Sequence, residues 1–421
     1  MSENLGKIII NRPLKMIRRT NYCIWIIIFS FLIVEKGEAI NNDTISKKEN
    51  FKFSRIVFSG NGYCGVDVHL NKSLKDSTGM ESTSLPIGLA PIILWKLTPQ
   101  LFIESEFDFM MDHGMLSGEI GYANLCYSTN KLGTIQIGKF LSPFGIYSER
   151  YHPFWINNAP NTPLGFAHEG SSPESELGVC YKVGSKHFTY AMYASLSPKI
   201  DGGSENVKNA GKIIFHIDLR EKFNKKIGLG ARVGILPFKN PSIELGLSYK
   251  WMQLEVGEHY DGTAVTHTHP SGEQSKYYIG NMYAVDLTIE KILARLKGKI
   301  DIKAQVNYTD VGTNNFIKTS PSGITEIDYS YSNKSEIGFA MLSFKPILVD
   351  NYILKRSGIF VRGGTLQLPI GSLWYETTYE ITAGLNYSFN WQNILKIGYQ
   401  QISTAKKGYT NNILLQWAVG F

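Results

Sequence analysis

The sequence predicts an all-β fold, a transmembrane antiparallel β-barrel, and three observations carry that expectation. Apolar and polar residues alternate with a period of two over stretches of ten residues or more. The chain opens with the features of an export signal, and it stops on an aromatic residue, Phe421, inside an alternating stretch. Successive side chains of a strand point to opposite faces, so a period of two marks one wet and one dry face. Composition agrees: 40 Gly, 23 Tyr and 22 Phe against 16 Pro and 4 Cys suit aromatic strands joined by tight turns.

Residues 1–39 read as a cleavable signal peptide. Lys7, Arg12, Lys15, Arg18 and Arg19 precede "CIWIIIFSFLIV" (Cys23 to Val34), and Gly37, Glu38 and Ala39 offer the small residues of a cleavage site. That apolar run is too short to cross a hydrocarbon core of about 30 Å as a helix. Thr20 and Asn21 follow the arginine pair where a twin-arginine signal needs an apolar residue, so the general secretory route is expected. Removing residues 1–39 lowers the net charge from +7 to +4 and leaves no block of Lys and Arg, which argues against nucleic acid as a partner. Residues 40–53 form a polar periplasmic leader, and residues 54–421 form the barrel. Three cysteines remain (Cys64, Cys126, Cys180), an odd number that supports no disulfide framework.

The alternation then recurs along the chain. In "KGKIDIKAQVNYT" (Lys297 to Thr309) Lys297, Lys299, Asp301, Lys303 and Gln305 share one face, and Ile300, Ile302, Ala304, Val306 and Tyr308 the other. Leu101 to Met111 sets Glu104, Glu106 and Asp108 against Ile103, Phe107, Phe109 and Met111. Similar patterns cover Ile213 to Arg220, Ile243 to Trp251 and Trp374 to Phe389. A soluble sandwich also alternates, but its strands run to about five or six residues. Here the strands are longer, and their dry faces end in aromatics such as Tyr249, Trp251, Tyr308, Tyr387, Phe389 and Tyr399. Connections alternate too: a tight one at Asn240 and Pro241, long ones at about Glu255 to Ser275 and Thr313 to Lys334. Those are the features of an outer-membrane barrel. Lipid offers no hydrogen-bond partners, so the sheet must close. Ile413 to Phe421 is the expected closing strand, with its odd residues facing lipid. About sixteen strands are expected, eighteen being the alternative.

One segment breaks the rhythm. "LSPFGIYSERYHPFWINNAPNTPLGFAHEGSSPESE" lacks alternation but is dense in aromatics, which argues for an ordered loop folded into the lumen, at about residues 144–173. The stretch Gly138 to Phe166, "GKFLSPFGIYSERYHPFWINNAPNTPLGF", resembles a motif of outer-membrane porins, broadly akin to the phosphate-selective O and P porin group. "LAPIILWKLTPQLFIESEFDF" (Leu89 to Phe109) resembles the same group. The resemblance implies a water-filled channel for passive diffusion of small hydrophilic solutes or ions, in the outer membrane of a Gram-negative bacterium. The dense Lys/Arg ladder of a dedicated phosphate pore is missing. Trp417, Val419 and Phe421 resemble the terminal signal read by the barrel-assembly machinery.

The site expectations follow. Glu149, Arg150 and His152 narrow the pore, with Tyr147, Tyr151 and Trp155 anchoring the loop. Glu104, Glu106 and Asp108 line one wall, and Lys297, Lys299 and Lys303 line the wall opposite. No phosphate loop, H-E-x-x-H or G-x-S-x-G motif is present, so no enzymatic activity and no cofactor are expected, although a triad assembled by folding leaves no mark in sequence order. His259, Asp261, His267 and His269 read as a polar loop, not a metal centre. The expected partners are outer-membrane lipid and lipopolysaccharide, the assembly machinery and small solutes, with a homotrimer as the possible assembly. The second reading is a structural or adhesion barrel without an open channel.

Overall fold

Every long strand of the chain is hydrogen-bonded to the one before it, and the last to the first. In the computed structural model the described residues are 56–70, 83–112, 115–129, 133–166, 170–201, 211–216, 226–239, 242–256, 265–267, 277–319, 325–405 and 408–421. The expected signal peptide and leader, residues 1–53, lie outside them, as do Asn240, Pro241, His259, Asp261 and His269. The sixteen strands are β1 (Ile56–His69), β2 (Ile87–Lys96), β3 (Leu101–Asp112), β4 (Met115–Thr129), β5 (Gly133–Leu141), β6 (Ser175–Gly184), β7 (Phe188–Leu196) and β8 (Ile227–Lys239), followed by β9 (Ser242–Val256), β10 (Tyr277–Leu293), β11 (Gly298–Thr319), β12 (Thr325–Lys345), β13 (Ser357–Gln367), β14 (Thr377–Ser388), β15 (Asn393–Thr404) and β16 (Gly408–Gly420). All these neighbours run antiparallel. β16 closes the ring on β1, in register from Asn61↔Gly420 to His69↔Asn412. Phe421 does not fray: its N–H donates to Gly60 O and its own carbonyl accepts from Gly60 N–H, both at 2.9 Å.

Burial is inverted relative to a water-soluble fold, where charges stay outside. Inward positions carry Lys139, Arg232, Lys250, Asp286, Gln305, Arg362, Glu380 and Lys396, all buried. Outward positions carry exposed Leu245, Leu247, Val285, Ile381, Leu385, Ile397 and Leu415. An apolar exterior of this extent is stable only against hydrocarbon. On β9, β10 and β11 the outward Tyr249, Tyr283 and Tyr308 stand side by side, ring centroids 5.3 and 6.4 Å apart, as a segment of the expected aromatic belt.

Three expectations need correction. The alternating stretch from Ile213 is not a barrel strand: Ile213–Ile214 is a two-residue strand paired with Lys199–Ile200, and Ile213, Ile200 and Phe215 are buried among Met252, Leu254 and Met282. Those three partners occupy inward parity on β9 and β10, so an apolar patch on the wet face draws this connection in. The long loop expected at Thr313 to Lys334 is mostly strand, because β11 and β12 stay paired as far as Thr319↔Thr325. Trp374 and Tyr375 precede β14 instead of belonging to it.

Candidate functional site: a loop across the barrel lumen

The connection between β5 and β6, described over residues 142–166 and 170–174, enters the barrel because the opposite wall supplies the polar partners its irregular backbone lacks. Gly145 N–H donates to Ser248 Oγ (3.0 Å), and the N–H groups of Ile146 and Tyr147 both donate to Gln305 Oε1 (2.8 and 2.9 Å). Gln305 is itself held by Asn307, whose Nδ2 reaches Ser172 Oγ at the far end of the loop. Gly145 has φ +73°, and a Cβ there would lie 2.0 Å from Gln305 Nε2, so both conformation and approach require glycine.

A single π-helical turn, Tyr147–Tyr151, then sorts the side chains. Tyr147 is buried with Phe166, Ile337 and Phe339 in an aromatic cluster on β12. Glu149 pairs with Lys182 of β6. Arg150 grips both oxygens of Glu244 on β9 at 2.6 and 3.0 Å. Glu244 also accepts from Arg232 of β8, which forks onto Asp286 of β10 at 2.6 and 3.0 Å. Two-pronged arginine pairs of this kind fix orientation as well as charge. His152 Nε2 lies 2.9 Å from Glu174 Oε1. The Tyr151 ring lies under Lys303 Nζ, 4.3 Å from its centroid, with its hydroxyl at Thr288. Trp155 reaches the end of the barrel where the chain terminates, edge-on to Trp391 at 5.8 Å and over Gly420.

Beyond the turn, two buried basic side chains hold the tip of the loop. Arg362 of β13 donates to Asn161 O (2.6 Å), Asn161 Oδ1 (2.8 Å) and Glu380 (2.7 Å). Lys396 of β15 donates to the carbonyls of Phe154 and Ala159 and to Gln416 Oε1. Sequence reading missed both residues. The available signal is a lone cation at inward parity in an apolar strand (Val361-Arg362-Gly363, Leu395-Lys396-Ile397), but its loop partners lie some 200 or more positions away.

The wall charges stand differently from expectation. β3 and β11 are eight strands apart in a ring of sixteen, hence opposite, but the loop lies between them. Lys299 is paired with Glu290 (2.7 Å) and Lys303 with Asp301 (2.7 Å), so the lysines are neutralised on their own wall. Lys297 is not on the wall: it sits exposed in the turn before β11 with φ 49°. Glu104 and Asp108 are half-buried on β3, and Glu106 is buried. Trp417 faces outward on β16, and Val419 shares its parity. Among the described residues no three His, Cys, Asp or Glu side chains form a ready-made metal centre.

His152 carries a testable pH dependence. Burial opposes its charge, but the hydrogen bond and attraction of Glu174, with Glu106 and Asp108 behind, outweigh it and raise the pKa to about 9. A histidine with its folded pKa above the unfolded value stabilises fully below about 6.5 and loses that contribution as pH rises through about 9. His152→Gln should therefore lower stability by on the order of 1–3 kcal/mol at pH 6, with the difference from wild type vanishing by about pH 10. Urea unfolding in micelles across that range measures it; a pH-independent difference would refute the ion pair.

No protein-family model matches the sequence, and no curated protein sequence matches it. Solved structures do resemble the fold. OprB of Pseudomonas putida, in a high-pH structure, aligns over 87% of this chain and 94% of its own at 9% identity, with a TM-score of 0.55. OmpF of Salmonella typhi, in complex with daunomycin, aligns over 87% and 97% at 12% identity, with a TM-score of 0.51. An anion-selective porin from Comamonas acidovorans aligns over 87% and 99% at 9% identity, with a TM-score of 0.50. At such identities the likeness is one of fold: a closed sixteen-stranded barrel of the outer-membrane porin type.

Proposed function

We propose that the protein is an outer-membrane channel for passive diffusion of small hydrophilic solutes, narrowed by the loop at 142–174. The observation that carries this reading is that water reaches the paired charges of the loop. The side chains of Glu149, Arg150 and His152 keep 29%, 29% and 24% of their exposure although the first two are engaged with the wall and His152 with Glu174. A barrel of sixteen strands is also too wide for wall side chains alone to fill. The described inward cations mostly pair with carboxylates, which favours weak ion preference over the dedicated phosphate pathway of the group that the sequence resembles. No catalytic role is proposed, and a homotrimer stays a proposal, read by the mass of the complex in detergent.

Stepwise single-channel conductance of the refolded protein in a planar bilayer tests the reading; a silent bilayer would favour the structural or adhesion barrel. Pinning of the loop to β9–β16 is the observation on that second side. Replacing Lys299 and Lys303 by Glu turns a balanced wall into four carboxylates with Glu290 and Asp301. The reversal potential in a KCl gradient is expected to move toward cation selectivity, and no movement would mean that β11 does not face the ion path.

A further inference from the structure

Acidic residues gather at one place behind the loop. Glu106 and Asp108 of β3, Glu119 of β4 and Glu174 at the end of the loop line a small cavity with Lys139, His152 and His216. His152 is engaged with Glu174, His216 lies 3.3 Å from Glu119, and Lys139 Nζ donates to Ile120 O. Even with both histidines counted as cations, three bases face four carboxylates. Glu106 is the least satisfied of the four: it is 2% exposed, and its Oε1 has no hydrogen-bond partner. A buried carboxylate oxygen left bare is costly, and either a proton or a cation must neutralise it.

The space available defines that counter-charge. Gly121 leaves open the position where a Cβ would meet Asp108 Oδ2 at 2.2 Å and Glu106 Oε1 at 3.1 Å, so the two carboxylates converge above a bare backbone. The cavity has room for the centre of one water-sized body, about 10 Å³. We propose that this pocket binds a single hard divalent cation of the Ca²⁺ class, held by Glu106, Asp108, Glu119 and Glu174. Its donors are all-oxygen at the carboxylates, and Ca²⁺ tolerates irregular coordination where Mg²⁺ demands a near-ideal octahedron. The carboxylates are not gathered into a finished coordination sphere. Glu174 and Glu119 are turned toward His152 and His216, and binding would exchange those partners for the ion. The bound ion would tie the loop, through Glu174, to the wall at β3 and β4. This inference does not depend on whether the barrel conducts.

Isothermal titration of CaCl₂ into refolded, lipopolysaccharide-free protein in nonionic detergent at fixed pH tests it. The expected result is one Ca²⁺ per chain, weakened about tenfold or more in Glu106→Gln and unchanged in Glu290→Gln, whose carboxylate lies at the Lys299 pair outside the cavity. Should Glu106→Gln fail to fold, as judged by heat-modifiable migration, Asp108→Asn carries the same expectation. Absence of uptake by the wild type would overturn the proposal and leave a proton as the counter-charge. Equal uptake by the cavity variants, which would place the ion elsewhere, would overturn it too.

Discussion

A chain truncated before Ile413 is expected to form no closed barrel. β16 is paired along both edges, with β1 from Asn61↔Gly420 to His69↔Asn412 and with β15 from Asn393↔Val419 to Thr404↔Gly408. Its loss strands the facing N–H and C=O groups of β1 and β15 at hydrocarbon depth, where each unsatisfied group costs several kcal/mol. A handful of such groups exceeds the roughly 5–15 kcal/mol that ordinarily separates folded from unfolded protein. The truncated chain should show no heat-modifiable species on electrophoresis and should be digested by protease in micelles. Phe421→Ala provides the contrast, because both hydrogen bonds of Phe421 to Gly60 use backbone atoms and survive the change. That variant is expected to fold in vitro. A protease-resistant, heat-modifiable barrel from the truncated chain would contradict the closure argument.

Arg362→Ala is expected to be the most damaging single substitution inside the lumen, costing about 3–5 kcal/mol. Arg362 is 1% exposed and joins three elements at once: its own strand β13, Glu380 on β14 and Asn161 on the loop. Removing it leaves the Glu380 carboxylate buried with Gln400 Nε2, at 3.0 Å, as its remaining hydrogen-bond donor. The penalty therefore comes mainly from the stranded charge, and the double variant Arg362→Ala/Glu380→Ala should recover a substantial part of it. The loop tip around Asn161 loses one of its two clamps, so protease should cut between residues 153 and 162 in the single variant. A loss below about 1 kcal/mol in urea titration would show that water, not Arg362, balances Glu380.

The architecture was legible in the chain because it rests on local rules. A two-residue period reports which side of a strand is wet, and it needs no knowledge of the neighbour: Lys299, Asp301 and Lys303 point inward, and Val306 and Tyr308 outward. The strand number and the closing role of Ile413 to Phe421 follow from the same rhythm and from the need to pair every backbone group in lipid. That rule fails where an apolar residue faces inward. Met252, Leu254 and Met282 put apolar side chains on the wet face of β9 and β10, and the segment they attract, Ile213 with Phe215, imitates a membrane strand while lying inside the barrel.

The sequence by itself determined the barrel, its two faces, its terminal seam and a loop too aromatic to be disordered, since each of these depends on contacts within a strand or between neighbouring strands. Only the tertiary structure decided what that loop does: that Arg150 meets Glu244, that Lys303 covers Tyr151 while bound to Asp301, and that Arg362 and Lys396 grip the loop tip. Those partners come together across the lumen from positions about 90 to 240 residues apart, except the local Lys303–Asp301 pair. Closure of the ring alone sets their distances, and no spacing along the chain encodes them.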